Sequence, residues 1–149
     1  MGYSKYQNPN PKNENKAGKN SDKLKLLDEI LNVNDKNIKK FLNYAEEFAN
    51  KNLKYISFTK IRKFYDYLNE ISPEDEDWII KFAHLKPMVA YHYGKEKRNQ
   101  GLFELKKLID AVFDKIYNEN DENKRKEMFK HFKKFFEAII AYKRFYEGK

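Results

Sequence analysis

The chain has 149 residues, 40% of them apolar and 16% aromatic, and a formal net charge of +8. That length suits one domain around one core, and the absence of cysteine excludes disulfides and thiolate metal sites. No apolar stretch approaches the roughly 20 residues that a membrane-crossing helix needs. The first residues also lack the apolar run of a secretory signal, so a soluble cytoplasmic protein without membrane contact is expected. The basic balance favours a polyanionic partner such as nucleic acid. Crowding with Lys, Asn, Ile, Tyr and Phe is equally explained by biased codon usage, so charge alone does not decide the partner.

Residues 1–21 are rich in Asn, Lys, Pro and Gly and have almost nothing to bury, which predicts a disordered basic arm ahead of a helical domain over 22–149. Ser21 or Asp22 can cap a first helix carrying Leu24, Leu27, Ile30 and Leu31. Asp35 opens a second, with Ile38, Phe41, Leu42, Ala45 and Phe48 spaced for one face. Ser57 is the expected N-cap of a third, where Phe58, Ile61, Tyr65 and Leu68 form a stripe with Phe64 beside it. The sharpest start signal is Ser72-Pro73-Glu74-Asp75, with a capping serine, a proline tolerated in the first turn, and acids at the positive end of the helix dipole.

That fourth helix carries Trp78, Ile79, Phe82 and Leu85, and a break or kink is expected at Lys86-Pro87. Its continuation ends at Gly94 as a C′ glycine, and residues 95–101 form a polar, basic connection. Leu102, Leu105, Ile109, Val112 and Ile116 mark a fifth helix. Asp121 begins the last and longest, which reaches about Glu147. No stretch alternates as a strand would. The predicted fold is all-α, a compact bundle of five to six helices joined by short loops.

Catalytic chemistry finds little to stand on. His84, His92 and His131 have no metal-ligand spacing, and no thiol can complete a zinc set. Glycine is too scarce for a phosphate-cradling loop, with Gly94 and Gly101 the only interior candidates. The acids Glu74, Asp75, Glu76 and Asp77 are explained by their place at a helix start, without a second set of ligands for a two-metal site. No catalytic residue, metal or cofactor is therefore expected, and the chain reads as a non-enzyme.

The basic residues are better placed. In the third helix Lys60 and Arg62 flank the apolar arc on opposite sides, while Lys63 points outward. In the last helix Met128, Phe132, Phe135, Phe136, Ile139, Tyr142 and Tyr146 share a face, and Lys143 falls inside it. A lysine there must snorkel, pair with an acid, or meet an anion brought by a partner. Lys126, Lys130, Lys133 and Arg144 form a second strip on the opposite side. Lys86, beside Pro87 and ahead of Tyr91, can present backbone, charge and ring together.

Three blocks resemble the small subunit of type III-A (Csm) CRISPR effector complexes. They are Ser57-Phe58-Thr59-Lys60-Ile61-Arg62-Lys63-Phe64-Tyr65, Leu85-Lys86-Pro87-Met88-Val89-Ala90-Tyr91, and the run Phe135 to Tyr146. Their order and separation fit, and the region from about residue 24 onward has the family's length and helical character. The resemblance implies a non-enzymatic protein of antiviral defence, present in several copies, that touches the backbone of the guide RNA–target RNA duplex without reading sequence. It further implies contacts to other subunits and between copies. The family's basic positions correspond here to Lys60, Arg62, Lys63, Lys86, Tyr91 and Lys143, with Lys97 and Arg98 as additions from a variable loop. The Asn-rich arm has no counterpart.

Two other readings stay open on the sequence. A free-standing DNA-binding regulator would need a short helix-turn-helix unit, which the turn before Ser57 does not clearly offer. A helical adaptor would use the same faces for protein contacts alone.

Overall fold

The computed structural model describes residues 25–147. The expected arm, the cap at Ser21 or Asp22, and Leu24 lie outside the described residues. Those described form helices and turns without a strand: α1 (25–31), α2 (Ile38–Lys51), a 3-10 turn (Leu53–Tyr55), α3 (Phe58–Glu70), α4 (Trp78–Ala83), α5 (Leu85–Lys95), α6 (Gln100–Tyr117) and α7 (Glu122–Glu147). None of these helices is long and apolar enough to cross a membrane.

The predicted faces are buried in the main, except that Ile38 and Leu42 of the expected α2 face are 41% and 39% exposed. Phe41, Ala45 and Ala49 turn inward from α2, Ile61, Phe64 and Leu68 from α3, and Leu102, Leu105, Ile109, Val112 and Ile116 from α6. The long α7 runs through the centre and packs chiefly on α2 and α3, while α5 lies against α6. It buries Met128, Phe129, Phe132, Phe135, Phe136, Ile139 and Ile140, a wider arc than an amphipathic surface helix needs, because it meets neighbours on several sides. Phe82 sits in a ring cluster with Phe113, Phe129 and Phe132 at centroid distances of 5.4, 4.9 and 5.8 Å. Trp78 closes the cluster at 5.0 Å from Phe129, and its indole N–H donates to Glu122 across 3.3 Å.

Several local signals act differently from the prediction. Ser72 does not begin a helix. Its hydroxyl accepts from the Glu74 N–H (3.2 Å) and its own N–H reaches the Asp75 carboxylate (3.4 Å), closing a turn, and α4 starts only at Trp78. The same acids then hold Lys81, with Asp75 and Asp77 each 3.4 Å from its ammonium.

Pro87 does interrupt the chain, but three residues upstream of itself. A proline ring clashes with the carbonyl four residues back, which is that of Ala83, and the break falls at His84 between α4 and α5. Proline then occupies the first turn of α5, where its missing N–H costs nothing. Gly94 is not a left-handed terminator, since α5 continues to Lys95 and no described glycine has positive φ. The connection after it is shorter than predicted. Asn99 caps α6 by accepting from Leu102 N–H at 3.0 Å, so the helix begins at Gln100.

Asp121 performs as predicted, accepting from the N–H groups of Asn123 (2.9 Å) and Lys124 (3.2 Å) at the start of α7. Ser57 does the same for α3 by accepting from Lys60 N–H.

Candidate nucleic-acid interface

The third helix begins where the 3-10 turn ends, and its capped first turn presents Lys60 beside the end of α5. The Lys60 ammonium pairs with the Glu96 carboxylate just past α5. That hydrogen-bonded ammonium holds the Glu96 carboxyl below the usual carboxylate range. One turn along, Lys63 is exposed and has no carboxylate partner among the described residues. From α5, Tyr91 stands 63% exposed with the Lys95 ammonium 5.2 Å from its ring centre.

His92 lies between these groups, edge-on to Phe64 at 5.4 Å. Burial first, and then the charges of Lys60, Lys63 and Lys95, push its imidazole below the ordinary 6.5, with Glu96 opposing. Lys60, Lys63, Tyr91, His92 and Lys95 therefore form one basic, ring-bearing face on α3 and α5.

That shift has a consequence for stability. An imidazole harder to protonate in the folded chain than in the unfolded one favours unfolding once protons bind. Its contribution is complete above about pH 6.5 and is lost as pH falls through the lower folded value. His92→Gln should thus flatten the decline in melting temperature between pH 7 and pH 5 relative to wild type. Parallel curves would remove His92 as its source.

Arg62 and Lys86 stand apart from this face. Arg62 projects from the other flank of α3, bonded to Asp66 at 3.1 Å and close enough to oppose Glu137 at the Tyr65 hydroxyl, which burial raises above its ordinary value. Lys86 faces α6, 3.9 Å from both Asp110 and Asp114 and 5.0 Å from the Phe113 ring centre. Of the sequence-predicted residues, three converge and two flank.

Lys143 is different in kind. It is 2% exposed, and its ammonium donates to the Leu53 carbonyl at 2.9 Å and to the Glu147 carboxylate at 2.6 Å. Of the three fates open to a lysine on that apolar face, pairing with an acid is the observed one. An ammonium so enclosed does not meet a phosphate at the surface. It ties α7 to the turn that leads into α3.

The second basic strip is also consumed internally. Lys126 faces Glu74 at 4.0 Å, Lys130 pairs with Glu127 at 3.2 Å, and Lys133 donates to the Ile71 carbonyl at 2.7 Å. Burial holds the Lys133 ammonium below the usual lysine range. Arg144 stacks instead on the start of α3, with its guanidinium 4.7 Å from the Phe58 ring centre.

The sequence reading missed Lys54, Tyr55, Lys95 and the position of Arg144. Asn99 donates its amide to the Tyr55 carbonyl at 2.8 Å, which brings the loop carrying Lys97 and Arg98 against the 3-10 turn. Lys54, Lys95, Lys97 and Arg98 are all exposed there without a carboxylate partner among the described residues. They come from two separated stretches of sequence, the 3-10 turn and the run 95–98, and only the fold brings the two together. Among the described residues no group of three or more acidic or histidine side chains is placed to hold a metal ion.

No curated protein and no solved structure matches the chain. The family Csm2 Type III-A matches residues 35–149, a span that contains all three sequence blocks and every residue of the basic face. The chain therefore belongs to the Csm2 type III-A family, the small structural subunit of the type III-A CRISPR effector complex.

Proposed function

We propose that this subunit grips the ribose–phosphate backbone of the paired guide and target RNA without reading their sequence, in several copies per complex, and leaves cleavage to another subunit. The observation that carries this reading is a set of exposed cations without a carboxylate partner among the described residues, beside two exposed tyrosines. Lys54, Lys63, Lys95, Lys97 and Arg98 come from α3, the end of α5 and two connecting segments, and Tyr55 and Tyr91 lie among them. Guide pairing already supplies sequence specificity. An A-form duplex offers a protein chiefly phosphates and 2′-hydroxyls, for which distributed lysines suffice.

Lys60, Lys63 and Tyr91 form the centre of this contact, and Arg62 and Lys86 extend it on either side. Lys60 exchanges Glu96 for a phosphate when RNA arrives. Lys143 serves from within, as support. The apolar residues left at the surface, Ile38 and Leu42 on α2 among them, are available for neighbouring subunits or further copies.

Each lost phosphate contact lowers the steepness of log affinity against log salt by roughly 0.7 to 0.9. Lys63→Glu and Lys60→Glu, each incorporated into the assembled complex, should weaken RNA binding whatever the target sequence and flatten that dependence by about this amount per residue. Target cleavage at saturating RNA should be retained. Unchanged affinity and slope for both variants would rule out this face.

A further inference from the structure

Beside the basic face lies a cleft of about 530 Å³ between the 3-10 turn and the start of α6. Its walls include Asn52, Tyr55, Arg98, Asn99, Gln100 and Glu104. We propose that this cleft is a subsite for a single unpaired nucleotide of bound RNA, with the base against the Tyr55 ring and the phosphate on Arg98. The inference rests on the RNA-binding reading and adds a discrete pocket to it.

Each wall supplies a part that an unstacked nucleotide requires. Tyr55 is 56% exposed, and the Lys54 ammonium stands 5.1 Å from its ring centre. An exposed ring is a platform for any base, since every base has a π-face. The Arg98 guanidinium has no carboxylate partner among the described residues, in contrast to Glu104, which is paired with Lys107 at 3.3 Å. The side-chain amides of Asn52 and Gln100 likewise have no hydrogen-bond partner there, and an amide offers a donor and an acceptor together to a base edge.

Asn99 has a different task. Both ends of its amide are committed, the oxygen to Leu102 N–H at 3.0 Å and the nitrogen to the Tyr55 carbonyl at 2.8 Å. It fixes the distance between the ring wall and the α6 wall. The volume lies within the 300–1,000 Å³ range common for small-ligand sites. The positive end of α6 opens at Gln100, which adds a modest attraction for a phosphate.

A neutral stacking contact and a backbone charge contact leave different signatures, so both can be read in one experiment on the assembled complex. The probe is a pair of RNA targets, one fully complementary to the guide and one carrying a single unpaired nucleotide, each titrated across a salt series. Tyr55→Ala should weaken the target with the unpaired nucleotide by about tenfold more than the paired target, and keep the salt slope. Tyr55→Phe, which retains a ring, should restore binding.

Arg98→Gln should flatten the slope for both targets, and by about 0.7 more for the unpaired one. Tyr55 is exposed and makes its fold contacts through its backbone, so its truncation leaves a folded subunit. Equal loss on both targets, or none on either, overturns the subsite. Lys63→Glu separates the two proposals: if it weakens binding while Tyr55→Ala does not, the cleft fails and the basic face stands. If neither acts, both fail.

Discussion

Lys143→Met is expected to lower the unfolding free energy by about 2–3 kcal/mol, most of it from the lost buried hydrogen bond of a charged donor to the Leu53 carbonyl, which keeps its bond from the Ile56 N–H at 3.0 Å. Methionine matches the stem of lysine in bulk, so little packing is lost and the effect isolates the ammonium. The partner carboxylate of Glu147 is 37% exposed and rehydrates, which keeps the ion-pair share of the cost small. For a chain of this size the melting temperature should drop by about 5–10 °C.

RNA affinity, measured where the variant is still folded, should fall at most modestly, and its salt slope should not change. The slope is the discriminating readout, because a structural lysine removes no phosphate contact. A flatter slope with an unaltered melting temperature would return Lys143 to the RNA surface and refute its role as a tie between α7 and the 3-10 turn.

Gly101→Ala is the second large effect, and it runs against helix propensity. Alanine is favoured over glycine inside a helix by about 1 kcal/mol, yet at this position an added Cβ would lie 2.3 Å from the Asn52 backbone oxygen. It would also press on Ile56 at 3.0 Å and on the Asn99 side chain at 3.2 Å. No rotamer relieves a clash with backbone, so the start of α6 must move off the 3-10 turn. The net cost should be about 3 kcal/mol, at the upper end for overpacking, and the shift should open the cleft beside Tyr55.

Gly94→Ala provides the control. It too is helical, but its Cβ would meet nothing within 4 Å, so that variant should be neutral or stabilised by up to about 1 kcal/mol. Urea denaturation of the two variants should therefore move in opposite directions. Parallel shifts would mean that the close approach at Gly101 carries no energetic weight.

The two glycines show where local reading stops. Both are helical glycines, and the pattern suggested a terminator for one and nothing structural for the other. What distinguishes them is the distance to Asn52, nearly fifty residues away along the chain. Ser72 makes the same point from the other side. Its N-cap signature is complete, but the chain uses it for a turn, and the helix begins only at Trp78, which packs in the ring cluster around Phe129.

The proline signal was legible once its mechanism is followed, since the clash falls four residues upstream, at Ala83, and the break follows at His84. Asp121 and Ser57 were legible outright, because an N-cap is satisfied within its own turn.

Sequence alone was enough for the helical class, the inward face of α6, most of the inward faces of α3 and α7, and the family, whereas on α2 the predicted Ile38 and Leu42 stay at the surface. Periodic apolar spacing and three motif blocks are properties of the chain in one dimension. It also singled out Lys143 as a cation on an apolar face, without choosing among its three possible fates. Tertiary structure made that choice, by setting the Leu53 carbonyl and Glu147 around the ammonium. It likewise decided which cations remain available: Lys126, Lys130 and Lys133 are taken up by neighbours, while Lys54, Lys63, Lys95, Lys97 and Arg98 are exposed without a carboxylate partner among the described residues. Charge is counted along the chain, but whether a given charge is neutralised depends on what the fold places within about 4 Å of it.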